Sequence, residues 1–338
     1  MSSVRTVRRR IPIAYKFIAA AIVLLGAFVA AMVFGAADIS VKDVWLGMTS
    51  DAVSEEILII REIRLPREIA AIVVGAALAV SGAIMQGMTR NPLADPGLLG
   101  LTAGANAALA MTIAFGTSAS YSFTMVACFI GAAVGAGMVF GLSSLRQGGL
   151  SPLRIVLAGS AVSAFLLAIA EGIGITFKVS KDVSMWTAGG MIGTTWSQLQ
   201  VVIPCIVGGL FVAMLLSRQL TILSLNESVA VGLGQRTAQV RAVLFAVIII
   251  LAGASVALIG NIAFVGLAIP HVVRAIVGTD YRYVLPMSAL VGSTFMLAAD
   301  TVGRTLNAPF ETPVVAIVAI LGLPFFLIVA RRAGRAFS

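Results

Sequence analysis

The chain has 338 residues, 59% of them apolar and 11% charged, with 34 glycines and a mean hydropathy of +1.06. Soluble domains average about 45–50% apolar and about 25% charged residues, so this composition excludes a water-soluble globular domain, and its hydrophobicity equally excludes disorder. Two cysteines in apolar runs, Cys128 and Cys205, and a single histidine exclude a disulfide framework and a His/Cys metal centre, and the net charge of +9 serves in a membrane protein to orient the chain rather than to bind nucleic acid.

A bilayer core of about 30 Å needs roughly 20 apolar residues per helix. Ten such runs follow one another: Phe17–Ala36, Ile69–Met88, Leu98–Phe115, Tyr121–Ser143, Ile155–Ile175, Val201–Ser217, Val240–Ile259, Ile262–Val277, Val284–Gly303 and Pro313–Ala330. They predict an all-α, polytopic membrane protein of about ten helices in a single transmembrane domain. The turns near residues 116–121 and at Asn261 carry no charge and rest on length and Gly/Ser punctuation alone. RTVRRR before the first run resembles the start of a signal peptide. That run is longer than the roughly 7–15 residues of a signal core, however, and losing it leaves an odd helix count. An even count puts both termini on one side. The basic ends Arg5, Arg8, Arg9, Arg10, Arg331, Arg332 and Arg335, with Arg90, Arg146, Arg154, Arg218, Arg236, Arg241, Arg274 and Arg282 in alternate loops, put that side in the cytoplasm.

Polarity is out of place in several stretches. Asp38 to Glu68 ends in REIRLPRE, which sets Arg61, Arg64 and Arg67 at the outer edge, with Arg304 at the outer end of the ninth run. Two readings stand: a solvated turn with local pairs such as Glu68 to arginine, or a docking patch for an acidic partner, since guanidinium forks suit carboxylates. On the inner side TRNPLADPGLLG breaks the chain with Pro92, Pro96, Gly97 and Gly100. Such breaks are tolerated at membrane depth only inside protein or along a cavity, so Asn91 and Leu93 are candidates for a constriction, against an ordinary cytoplasmic turn. LNESVAVGLGQRTAQVR is too polar to span and too apolar for a solvated loop. With Ala230, Leu233 and Gly234 on a helical pattern it fits a short surface helix that offers an apolar face to a cytoplasmic protein.

Within the runs polar groups are few: Gln86, Asn106, Glu171, His271, Arg274 and Asp300. Asp300 stands one turn before Arg304, as an i,i+4 pair. No charged group crosses the middle, which argues against a proton relay. Met85, Met88, Met111, Met125 and Met138 read as packing or as an adaptable pathway lining, and GAAVGAG as close helix packing. None of the four lysines ends a GxxxxGK[ST] loop, and HExxH and GxSxG are absent, so the chain holds neither a nucleotide by that route nor hydrolase machinery.

RLPR at 64–67, GAALAVSGAIMQGMTRNPLADPGLLG at 75–100, GLAIPHVVR at 266–274, the AAD before Arg304 and the ETPVV…LGLPFF ending resemble the permease subunits of ABC importers for iron–siderophores, haem and cobalamin, the FecCD type. The resemblance runs from about Ile39 to Arg332. It implies a ten-helix permease of the large (type II) kind in the cytoplasmic membrane of a prokaryote. Such a permease pairs with itself or with a related chain, above two cytoplasmic ATPase subunits that use ATP and Mg and below an extracytoplasmic substrate-binding protein. Carried over by motif, Arg64, Arg67 and Arg304 meet glutamates of the binding protein. Asn91 and Leu93 belong to one cytoplasmic gate and Ser151, Pro152 and Leu153 to the other. Asn226, Glu227, Ser228, Ala230, Leu233 and Gly234 lie in the segment that seats on the ATPase. The expected activity is ATP-driven uptake of a ferric siderophore by alternating access, with no cofactor or metal on this chain. The alternatives are a cobalamin or haem permease of the same family and, from another class, an ion-coupled secondary transporter.

Overall fold

The computed structural model describes residues 12–35, 39–50, 54–116, 120–144, 152–188, 190–225, 227–308 and 310–334, and these form helices and no strand. In chain order they are α1 (Ile13–Val33), α2 (Val41–Thr49), α3 (Glu55–Ile59), a π turn (Ile60–Arg64), α4 (Leu65–Thr89), a 3₁₀ turn (Pro96–Leu99), α5 (Leu101–Phe115), α6 (Tyr121–Ser144), α7 (Pro152–Thr176), α8 (Ser180–Ala188), α9 (Trp196–Leu215), α10 (Ser217–Leu225), α11 (Glu227–Gly232), α12 (Thr237–Ile259), α13 (Val265–Val277), α14 (Tyr281–Thr305) and α15 (Val314–Gly334). Among the described residues seven helices are long and apolar enough to cross a membrane: α1, the continuous stretch Glu55–Thr89, α6, α7, α9, α12 and α14. Three shorter apolar helices, α5, α13 and the Val314–Pro324 part of α15, join them.

Helix α4 is the axis of the molecule and is buried almost throughout. Lipid offers no hydrophobic drive between helices, so they associate where small residues let backbones touch. A Cβ on Gly82 would stand 1.9 Å from the Gly266 carbonyl oxygen of α13, and one on Gly75 2.4 Å from that of Gly292 on α14. Glycine does the same for α5 and α6, where Gly104 meets Gly131 and Gly135 meets Gly100. GAAVGAG therefore packs through Gly131 and Gly135, whereas Gly137 faces open space. Met85, Met88 and Met125 are buried packing residues, and Met111 is exposed.

The bundle has two ends. At one, the C-termini of α1 and α14 meet the start of α4, because Arg64 and Arg304 reach back to α1 carbonyls. At the other, Lys16 near the start of α1 donates to the last turn of α13 at Ile276, and Gly87 of α4 packs on Tyr281. These are called the Arg67 end and the Tyr281 end.

The stretch expected as a juxtamembrane turn, Asp38 to Glu68, is helical over most of its described length. Ser40 and Asp43 form a capping box on α2, Ser54 caps α3, and the π turn carries the chain without a break into α4. The second span thus begins well before Ile69. Short helices α8, α10 and α11 lie between the long ones, where no separate element was expected from sequence except at α11. The uncharged turn at Asn261 is a real break, residues 260–264, with Gly260 and Phe264 both at positive φ.

Candidate functional site

At the Arg67 end the three arginines singled out in the sequence come together, and they face inward. Arg64, Arg67 and Arg304 are 4%, 8% and 4% exposed. The π turn just before α4 is the kind of local widening that recurs at functional positions. From it Arg64 donates to the Met32 and Val33 carbonyls that end α1. Arg67 forks onto Asp300, with Nε to Oδ2 and Nη2 to Oδ1 both at 2.9 Å, while its Nη1 lies 2.9 Å from both oxygens of Glu311. Arg304 pairs with Glu68 through Nη2, donates to the Ala31 carbonyl at 3.1 Å, and keeps its Nε 3.0 Å from Asp300 Oδ2. Gly35 makes room for this, since a Cβ there would stand 2.9 Å from Arg64 Nη2.

Three arginines and three carboxylates thus cancel. Burying a charge is tolerable only when it is paired and hydrogen-bonded, which is the physical reason that the guanidinium groups do not form a free surface patch. The expected Asp300–Arg304 pair is present, but Asp300 also holds Arg67. The expected local pairing of Glu68 is instead a bridge to α14, and Glu68 is fully buried. Glu311, in the loop before α15, is the most exposed of the three acids at 30% of its side chain.

Mid-bundle, two irregular segments meet. After α4 ends at Thr89 on the Tyr281 end, residues 90–100 climb back into the protein, so that Pro96 and Leu101 line a small pocket with Ala252 and Val256, well along α12. The second segment is the 260–264 break, and Thr102 Oγ1 lies 3.4 Å from Asn261 Oδ1 where the two approach. Irregular backbone at this depth must be enclosed or line a cavity. Here a cavity of about 560 Å³ is bordered by Asp95, Thr102, Asn106, Ser163 and Asn261. Of these, Asn106 was visible in the sequence as a polar residue in a run; the others became pathway candidates only once the two breaks were brought face to face.

At the Tyr281 end, Asn91 accepts the Leu93 N–H at 3.0 Å and so closes the turn after Pro92. Both residues border a small pocket of about 150 Å³ together with Met85, Ile155 and Val156. Ile155 and Val156 stand on the first turns of α7, two and three residues beyond Leu153, so the start of α7 lies close to the Asn91–Leu93 turn. Ser151 lies outside the described residues, as does Asn226.

The short surface helix expected near 226–234 is α11. Ala230 is buried under it, while Val229, Val231 and Leu233 are exposed. Gly234 takes a positive φ of 75° and ends the turn. The preceding α10 is anchored into the bundle by the fully buried Leu220 and Leu223. Beside it Arg282 binds Asp280 through Nε and Nη2 and holds that carboxyl below its ordinary range.

The FecCD transport family matches residues 22–332. The iron(3+)-hydroxamate import system permease protein FhuB of Bacillus subtilis (strain 168) is 45% identical over 312 residues, covering 92% of this chain and 81% of that protein. The hemin transport system permease protein HmuU of Yersinia pestis is 41% identical over 305 residues, 87% of this chain and 88% of that one. A solved inward-facing structure described as being of the metal-chelate type of ABC transporter superposes with a TM-score of 0.82 at 27% identity, covering 94% of this chain and 99% of that chain. The family match runs from within α1 to within α15 and takes in both irregular segments, so the chain belongs to the FecCD transport family and is a multi-pass permease subunit of a bacterial ABC importer.

Proposed function

We propose that this permease carries a ferric siderophore across the cytoplasmic membrane. The observation that carries this reading is the 45% identity to an iron(3+)-hydroxamate permease over 92% of the chain. The mid-bundle cavity supports it, with short neutral polar groups and a single acid, Asp95, at its border. Such a wall lets a bulky chelate pass without holding it tightly. The hemin permease at 41% identity favours haem as the second reading.

As an ABC permease the chain works with ATPase and substrate-binding partners, and ATP with Mg is used on the ATPase. The basic loops and termini argue for the Tyr281 end in the cytoplasm. There α11 with Glu227, Ser228, Val229 and Leu233 seats on the ATPase, and Asn91 and Leu93, with the segment from Ser151 to Leu153, form the inner gate. The exposed apolar side chains of α11 and the adjacency of the two gate segments support these assignments. At the outer, Arg67 end the binding protein's carboxylates reach the arginine cluster by displacing Glu311, the most exposed of its acids. The permease acts as a pair, with a second copy or a related chain.

The test is uptake of ⁵⁵Fe-loaded trihydroxamate siderophore, with haem in parallel, by vesicles carrying the permease with its ATPase and binding protein. Uptake of the siderophore that ATP depletion abolishes and gradient collapse leaves intact is the expected result. Uptake of haem alone selects the second reading, and dependence on the gradient alone overturns both.

A further inference from the structure

Gln86 stands on α4 at 4% exposure, one turn before the Asn91–Leu93 segment. Its partner across the interface is a defect in α13. Pro270 has no N–H, and its ring crowds the carbonyl four residues earlier, so the Gly266 oxygen loses its helical donor. The Gln86 amide replaces that donor, with Nε2 3.1 Å from the Gly266 oxygen and 3.2 Å from that of Leu267. Its other atom, Oε1, accepts from Arg274 Nη2 at 2.6 Å, one turn beyond Pro270. One side chain therefore grips α13 on both sides of its break.

The chain of contacts continues towards α11. The Arg274 guanidinium also faces the Tyr281 hydroxyl at the start of α14. The Tyr281 backbone N–H donates to Thr221 Oγ1 on α10 at 3.0 Å, and the Tyr281 ring together with Leu220 presses on Gly87, next to Gln86, leaving no space for a Cβ. Gln235, just after α11, donates to the Gln219 carbonyl of α10 at 3.0 Å and so ties the two short helices together. The contacts therefore run without a gap from α11 through α10 to Tyr281 and Gly87, and so to α4, which leads into the inner turn, and through Arg274 to α13, whose Leu267 borders the mid-bundle cavity with Leu93.

We infer that Gln86, Arg274 and Tyr281 are positioning residues that transmit movement of α10–α11 to the Asn91–Leu93 turn through the Pro270 break of α13. The inference rests on the proposed ATPase-contact and gate assignments. None of the three need touch cargo or nucleotide. A neutral amide suits this task, because its hydrogen bonds can shift between neighbouring carbonyls without exposing a charge.

The experiment uses the assembled importer in liposomes, with Cys128→Ser and Cys205→Ser in the permease and Leu93→Cys as the reporter, labelled by a water-soluble maleimide with and without ATP. ATP is expected to change the labelling rate in this parent, and Gln86→Met to shrink that change about tenfold while ATP hydrolysis stays at the parent rate. Adding Pro270→Ala restores an N–H to the Gly266 carbonyl, so it rescues a merely bond-filling role and leaves a transmitting one unrescued. An undiminished response in Gln86→Met, or its recovery with Pro270→Ala, overturns the inference. Should Gln86→Met fail to assemble, Tyr281→Phe, which removes only the hydroxyl facing Arg274, is read in the same way. No response to ATP in the parent overturns the gate assignment and the inference with it, whereas normal assembly and hydrolysis with Leu233→Glu overturns the ATPase-contact assignment by itself.

Discussion

The Arg67 end and the Tyr281 end both hold α4 to its neighbours, to α14 at the first and chiefly to α13 at the second, but with different chemistry. The Arg67 end does it with full charges: Arg67 and Arg304 share Asp300, and Glu68 and Glu311 complete the balance. Removing one member of a buried ion network leaves its partners charged, desolvated and unpaired, so the arrangement is held as a unit. The Tyr281 end does it mainly with an amide, a phenol and backbone carbonyls around one arginine. Neutral hydrogen bonds are worth about 1 kcal/mol each net of water and can be exchanged singly. The chemistry of the first end resists piecemeal change, and that of the second, beside the irregular 90–100 segment, is the one that the inference above assigns to movement.

The two ends share one support, the glycine contacts between them, and breaking these should have the largest effect. Gly82→Leu drives a side chain into the Gly266 backbone, which cannot retreat as a flexible side chain would. The overlap leaves no folded arrangement of α4 on α13, and it should appear as failure to recover folded permease in detergent. Next in size is Asp300→Ala, which takes from two buried guanidinium groups the one carboxylate that they share. It should cost about 3–5 kcal/mol, read as a drop in thermal stability of the purified permease. For the same reason reversing Arg64 or Arg67 to glutamate would damage the fold and report poorly on docking. The smallest effect is expected from Glu311→Gln, whose side chain is partly solvated and whose pairing is correspondingly screened. Stability should change by less than about 1 kcal/mol. Affinity for the binding protein should rise, because the competing internal charge is gone; a fall in affinity would place Glu311 in the docking surface itself.

Much of this architecture was legible in the sequence. The apolar runs and the glycines mark the helices, because a bilayer demands about 20 apolar residues per crossing. The surface helix at α11 showed in its mixed polarity, and the NPLADPG break in its prolines and glycines. Arg64, Arg67 and Arg304 were visible as arginines on one face, yet whether they were free or bound was not, since their carboxylates lie at Glu68, Asp300 and Glu311, up to 244 residues away in the chain. Gln86 was noted only as an isolated polar residue in a run. The donor that it supplies is missing because of a proline 184 residues later, by the numbering of Gln86 and Pro270.

The sequence by itself determined that the chain crosses a membrane many times and, through its motifs, which family it joins. Those properties depend on local composition and short-range pattern, which every segment carries wherever it is placed. Only the tertiary structure decided that the arginines are neutralised, that two separate breaks share one cavity, and that α4 grips α13 around Pro270. Each of these depends on groups far apart in sequence arriving within about 3 Å of one another, the range at which a charge or a carbonyl in a protein interior is satisfied.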